Sequence, residues 1–201
     1  MRSSRINKEV SMTINVQAAV GYSWEALGLV WLVGLAFTKR TVRSQPSGAR
    51  FFHLGLATLG FFLLCSALFD AGWLGESFLP ADSSIQLAGL YLTIAGCLFA
   101  IWARITLGAN WSSRATVKAG HELIVTGPYA LARHPIYTGL LAGALGTGLA
   151  TGKMRCILGF VVILLAFAIK MSQEERLMVQ TFPEAYPAYR RRVKALIPGV
   201  F

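Results

Sequence analysis

Two polar stretches of this 201-residue chain hold the side chains able to do chemistry. The first, residues 114–137, reads RATVKAGHELIVTGPYALARHPIY. The second runs from Lys170 to the end and reads KMSQEERLMVQTFPEAYPAYRRRVKALIPGVF. Between them they hold His121, His134, the adjacent acids Glu174 and Glu175, and a set of tyrosines. Gly127-Pro128 and His134-Pro135 break a helix and fix the loop. A loop so fixed, carrying an arginine, a histidine and several aromatics, is suited to holding a ligand. Each residue alone has an ordinary reading: Arg133 as a headgroup contact, His134 as a satisfied polar group, Glu174 as an acid favoured by a helix N-terminus. Their convergence at one mouth is what points to function.

The elements that must position them are apolar. The chain is 55% hydrophobic and 14% charged, with a net charge of +10, against about 25% charged in a soluble domain. The shortfall is local. Val16–Thr38 holds one charge, Glu25, and Phe51–Phe69, Ile85–Ala103, Ile136–Ala150 and Cys156–Ile169 hold none. Runs of this kind have the dimensions of bilayer spans, which need about 20 apolar residues. The last two are short. The fifth extends if Lys153, Arg155 and Lys170 snorkel to the interfaces, and the fourth reaches only to Gly152. Gly139 and Gly143 form a small-xxx-small pair in span four, expected to pack on span five through the Thr151–Arg155 turn. The Gly143–Gly148 string superficially looks like a nucleotide-binding loop, but it follows no strand and reads as packing. The expectation is an all-α, polytopic membrane helical bundle of about five transmembrane helices ending in a C-terminal helical hairpin.

Basic residues set the orientation. Lys39, Arg40, Arg43 and Arg50 follow span one, Arg104, Arg114, Lys118 and Arg133 follow span three, and Arg176, Arg190, Arg191, Arg192 and Lys194 lie in the tail. The loop after span two has Asp70, Glu76 and Asp82 and no basic residue. The positive-inside tendency places the third loop and the tail in the cytoplasm, with the N-terminus outside. No cleavable secretory signal is expected, because the first apolar run is too long and lacks a small-residue cleavage site. The positive charge is read as topology and contact with anionic membrane lipids; no nucleic-acid module is visible. Cys65, Cys97 and Cys156 read as small buried thiols without metal-ligand spacing. Glu25, beside Trp24, reads as an interfacial residue more readily than as a substrate or ion group.

The segment HELI-(x2)-GPY-(x3)-RHP-x-Y before a helical hairpin, followed by EE and F-(x3)-Y-(x2)-Y-(x3)-V-(x3)-IPG, resembles the isoprenylcysteine carboxyl methyltransferases and their bacterial relatives. Phospholipid N-methyltransferases share a looser version. The resemblance runs from about Gly108 to Gly199. It implies one integral membrane domain, 1–201, with an N-terminal three-span region, 16–107, and a catalytic region, 108–201, whose cofactor pocket faces the cytoplasm.

What the resemblance implies is a methyltransferase that uses S-adenosyl-L-methionine and no metal. By motif position, His121, Glu122, Leu123, Ile124, Tyr129, His134, Pro135, Tyr137 and Glu174 would line the cofactor pocket. Arg133, Lys170 and Glu175 would be catalytic. Family members commonly place an arginine, assigned to the substrate carboxylate, where this chain has Lys170, and a lysine lacks the planar two-donor fork. The implied acceptor is the carboxylate of an isoprenylcysteine-like lipophile, with a phospholipid amine or small thiol as alternatives. An NADPH-dependent sterol-reductase-like enzyme has a similar signature, usually RHPNYxGE, but Ile136 and Leu140 replace its Asn and Glu here. A non-catalytic scaffold or transporter subunit is the remaining alternative.

Overall fold

The computed structural model describes residues 2–36, 41–44, 47–108, 116–118 and 123–197, with side chains placed at 15–36, 51–108 and 123–197. Among the described residues it is a bundle of six α-helices: α1 (Arg2–Leu35), α2 (Ser47–Cys65), α3 (Ser83–Leu107), α4 (Pro135–Thr151), α5 (Met154–Thr181) and the short α6 (Ala185–Arg192). Three helical stretches are long and apolar enough to cross a bilayer: Asn15–Leu35, Ser83–Leu107 and Met154–Thr181. Phe51–Cys65 is a shorter apolar helix, and α4 has 17 residues. The protein is an integral membrane protein. Among the described residues, a short two-stranded antiparallel ribbon, β1 (Thr41–Ser44) with β2 (Thr116–Lys118), accompanies the all-α bundle. It ties the loop after α1 to the loop after α3 at one end of the bundle.

Local chemistry places the helix ends. Asp82 caps α3 by accepting from Ser84 N at 2.7 Å and Ile85 N at 3.2 Å. Gly152, at φ +69°, stops α4, because left-handed backbone costs little only without a Cβ. Pro135 opens α4 at a position that needs no amide hydrogen.

Gly139, Gly143 and Gly146 of span four do not turn toward span five, although Gly148 meets Cys156 there. They face α3, which carries the complementary stripe Gly89, Thr93, Gly96 and Ala100. A Cβ on Gly96 would meet Gly139 O at 2.5 Å and the Gly143 backbone nitrogen, and one on Gly146 would meet Thr93 N at 2.5 Å. Two facing stripes of small residues let the backbones touch, which neither α4 against α5 nor hydropathy alone provides. α5 instead pairs with α2, through Gly60 against Gly159 and Ile163. The larger α4 residues Tyr137, Leu141 and Ala144 meet Ile163, Phe167 and Met171 of α5 in the main apolar cluster.

Several polar groups inside the bundle find partners within the protein. Trp24 Nε1 donates to Thr147 Oγ1 at 3.0 Å, so this indole faces the core, not an interface. Glu25 next to it lies at the middle of the Asn15–Leu35 stretch, on the outer surface. The helix begins thirteen residues before that stretch, which moves Glu25 away from any end. The three basic residues expected to snorkel bind inside the protein instead. Arg155, 4% exposed, donates to Asp70 Oδ1 at 2.6 Å and to Leu63 O and Leu64 O at 3.0 and 2.7 Å. It thereby satisfies carbonyls that the end of α2 leaves open. Lys153 Nζ donates to Gly75 O at 2.7 Å, and Lys170 lies in the site described below. Arg104 is likewise buried, holding Gly34 O at 2.7 Å and Gly108 O at 2.9 Å, where the ends of α1 and α3 meet. Cys97 and Cys156 are buried as expected, whereas Cys65 is exposed on the bundle surface.

Candidate active site

The site lies where the start of α4 meets the last third of α5. A single 3-10 turn, Gly127–Ala130, leads in, with Gly127 at φ +59° close against Thr106 and Trp102 of α3. Pro128, Tyr129 and His134 are buried there. Residue types three or four apart on α5 share a face, so Phe167, Lys170, Met171 and Glu174 line one wall, with Glu175 beside them.

The two acids are used differently. Glu175 Oε1 accepts from Arg133 Nη2 at 2.6 Å and Nε at 3.0 Å, and His134 Nε2 lies 3.3 Å away. Arg190 Nε stands 3.6 Å from the other oxygen. Glu174 Oε1 accepts from Tyr137 OH at 2.8 Å, with Lys170 Nζ at 3.7 Å. Its second oxygen, Oε2, has His134 Nδ1 at 3.7 Å, beyond hydrogen-bond reach. His134 therefore sits between the two carboxylates. The rings of His134, Tyr137 and Phe167 stack in sequence, with centroids 5.7 and 4.8 Å apart. The Lys170 ammonium is 5.7 Å from the Tyr137 ring centre.

The tail completes the site. Arg133 N and His134 N donate to Lys194 O and Ala195 O at 2.8 and 3.0 Å. Thr138 Oγ1 donates to Leu196 O at 2.8 Å, and Arg133 Nη1 to Val193 O at 2.5 Å. Tyr189 OH donates to Tyr129 O at 2.5 Å. Burial pushes the Tyr129 and Tyr186 hydroxyls well above the ordinary phenol range, and that of Tyr189 up to about 12. All three stay protonated at neutral pH.

The model of the isoprenylcysteine carboxyl methyltransferase (ICMT) family matches residues 88–180, from α3 to the end of α5. The chain is 30% identical over 142 residues to the cobalt-zinc-cadmium resistance protein CzcN of Cupriavidus metallidurans, covering 68% of this chain and 59% of that one. It is 31% identical over 138 residues to the protein-S-isoprenylcysteine O-methyltransferase of Saccharomyces cerevisiae, covering 62% and 58%. Against protein-S-isoprenylcysteine O-methyltransferase B of Arabidopsis thaliana it is 30% identical over 115 residues, covering 56% and 58%. The chain spans about six-tenths of the length of the curated relatives it matches.

The chain is ICMT-like. Of the residues that the ICMT-like motif singles out, the fold brings Arg133, His134, Tyr137, Lys170, Glu174 and Glu175 into one cluster. Pro135 opens α4 beneath them, and Tyr129 is held at its edge by Tyr189. Leu123 and Ile124 are half-buried in the extended approach to the 3-10 turn, while His121 and Glu122 lie outside the described residues. Residue-by-residue reasoning missed Phe167, Thr138 and the backbone of Val193–Leu196. The Tyr-(x2)-Tyr-(x3)-Val spacing was legible as part of the ICMT-like signature, but nothing in it says which carbonyl each tyrosine finds.

Proposed function

We propose that this ICMT-like chain is a membrane methyltransferase that takes its methyl group from S-adenosyl-L-methionine and transfers it to the carboxylate of an isoprenylcysteine-like lipophilic acceptor. The observation that carries the reading is the unequal loading of the paired acids. Glu175 is spent on Arg133, whereas Glu174 keeps one oxygen out of hydrogen-bond range of any donor among the described residues. That oxygen is suited to accept from a ribose hydroxyl or the ammonium group of the methyl donor. The stacked His134, Tyr137 and Phe167 rings suit a planar base or a cationic sulfur beside it.

When bound, S-adenosyl-L-methionine would supply an activated methyl on a sulfonium. The rest is positioning, which can lower the barrier by about 7–11 kcal/mol when reacting groups are held in line. In this reading Glu174, Tyr129, His134, Pro135 and Tyr137, with His121, Glu122, Leu123 and Ile124, line the donor pocket. Lys170 faces the acceptor's carboxylate. Arg133 and Glu175 act as positioning residues, since they bind each other and the tail. The acceptor arrives laterally from the bilayer and the donor from the cytoplasm, where the catalytic loops and the C-terminus are placed by the basic residues around them.

The test is calorimetric titration of the purified protein in detergent with S-adenosylhomocysteine and, separately, NADPH. Saturable S-adenosylhomocysteine binding is expected. NADPH binding in its place overturns the assignment. Turnover of N-acetyl-S-farnesylcysteine against phosphatidylethanolamine then decides between a carboxylate and an amine acceptor.

A further inference from the structure

His53 is a buried titratable side chain that the site above leaves unused. It is 7% exposed and belongs to the α2 stripe His53, Ala57, Gly60, Leu64, whose spacing keeps these residues on one helix face. That face meets α5. A Cβ on Gly60 would strike Ile163 Cγ1 at 2.6 Å, and Leu64 N lies against Gly159. The Cys156 thiol donates to Leu64 O, and Ala57 packs on the cluster that holds Ile163 and Phe167. The two helices run antiparallel, since Gly60 meets Ile163 and the later Leu64 meets the earlier Cys156.

Register then places His53. Two helical turns back from Gly60, seven residues, is His53; two turns on from Ile163, again seven, is Lys170. This register sets the two residues at the same level of the α2–α5 seam, and the His53 side chain is buried. An imidazole in an otherwise apolar stripe is costly unless it meets polar groups, and this one is placed at the polar end of the seam.

We propose that His53 and Lys170 together receive the anionic end of the methyl acceptor, with His53 as an acceptor-contacting residue supplied by the N-terminal half of the chain. The proposal rests on the carboxyl-methyltransferase reading. A lysine ammonium is a point charge and cannot present the planar pair of donors that an arginine offers a carboxylate. An imidazole N–H from the facing helix supplies the second donor from another direction. Phe51, Phe52 and Leu54 around His53 are exposed on the outside of α2, so this end of the pocket adjoins the surface from which an acceptor with a long apolar chain arrives.

The experiment is steady-state methyl transfer by the full chain in detergent, with S-adenosylmethionine and N-acetyl-S-farnesylcysteine. His53→Leu is expected to raise the acceptor KM about tenfold, leaving kcat within about twofold and S-adenosylhomocysteine affinity unchanged. His53→Gln keeps an N–H donor and recovers most of the loss. Lys170→Arg in the His53→Leu background also lowers KM again, because a guanidinium presents both donors by itself. An unchanged acceptor KM in His53→Leu overturns the proposal, as does an equal loss with Arg or Lys at position 170. Parallel loss of S-adenosylhomocysteine affinity in both His53 variants assigns a structural role and overturns it too. Failure of the underlying reading is visible separately, in native protein that shows no turnover with this acceptor, and it removes the His53 proposal with it.

Discussion

Arg133 Nε and Nη2 converge on one oxygen of Glu175, at 3.0 and 2.6 Å. This contact fastens the approach to α4 onto the far end of α5. The same guanidinium reaches Val193 O through Nη1, so one side chain joins three segments distant in sequence. Replacing Arg133 by Ala leaves Glu175 mostly buried without its main partner, at an expected cost of about 3–5 kcal/mol. Thermal unfolding in detergent measures it. Arg133→Lys should recover only part, since a lysine cannot span Glu175 and Val193 O together.

Glu174 should separate binding from folding. Glu174→Ala removes the oxygen offered to the methyl donor, and S-adenosylhomocysteine affinity should fall at least tenfold while the unfolding midpoint changes little. Calorimetry and thermal unfolding on the same preparation check it. Unchanged affinity would take Glu174 out of the donor pocket.

The α3–α4 seam predicts a contrast between two glycines. Gly96→Ala drives a methyl into Gly139 O and the Gly143 backbone and should destabilise by about 1–3 kcal/mol. Gly55→Ala, where an added Cβ meets nothing within 4 Å, should be neutral or stabilise by up to about 1 kcal/mol. Detergent denaturation of the two variants side by side tests the assignment of α3, not α5, as the partner of the α4 glycines.

The tail has a pH signature. The Tyr189 hydroxyl is raised from 10.0 to about 12 in the folded chain, so the folded state holds this proton more tightly than the unfolded state does. Its contribution is fully present below pH 10 and is lost as pH rises through about 12. Ultraviolet titration should therefore show a late-ionising tyrosine that disappears in Tyr189→Phe. Stability of that variant should fall less steeply above pH 10 than that of native protein. An unchanged titration curve would show that Tyr189 is not a late-ionising tyrosine.

Much of this architecture is legible in residue order. The gaps between charges locate all five apolar segments, and Pro135, Gly152 and Asp82 mark helix ends through backbone rules that act within a few residues. The paired acids, the RHP-x-Y string and the tyrosine spacing likewise delimit the site. Other features depend on partners far away in the chain. Arg155 and Lys153 look like interface residues until Asp70, the end of α2 and Gly75 O are brought beside them. Arg104 looks like a loop cation until it reaches Gly34 O across the bundle. Glu25 looks interfacial until the apolar stretch is seen to run from Asn15 to Leu35, with Glu25 at its middle.

Sequence alone determined the membrane character, the helical class and the cluster of residues able to do chemistry, because charge deficit, periodicity and motif spacing are local properties. Only the tertiary structure decided that the α4 glycines meet α3, and that Glu175 is spent on Arg133 while Glu174 keeps an open oxygen. Helix pairing in a bilayer depends on how closely two backbones can approach. That is a property of two stripes at once, and neither stripe carries it alone.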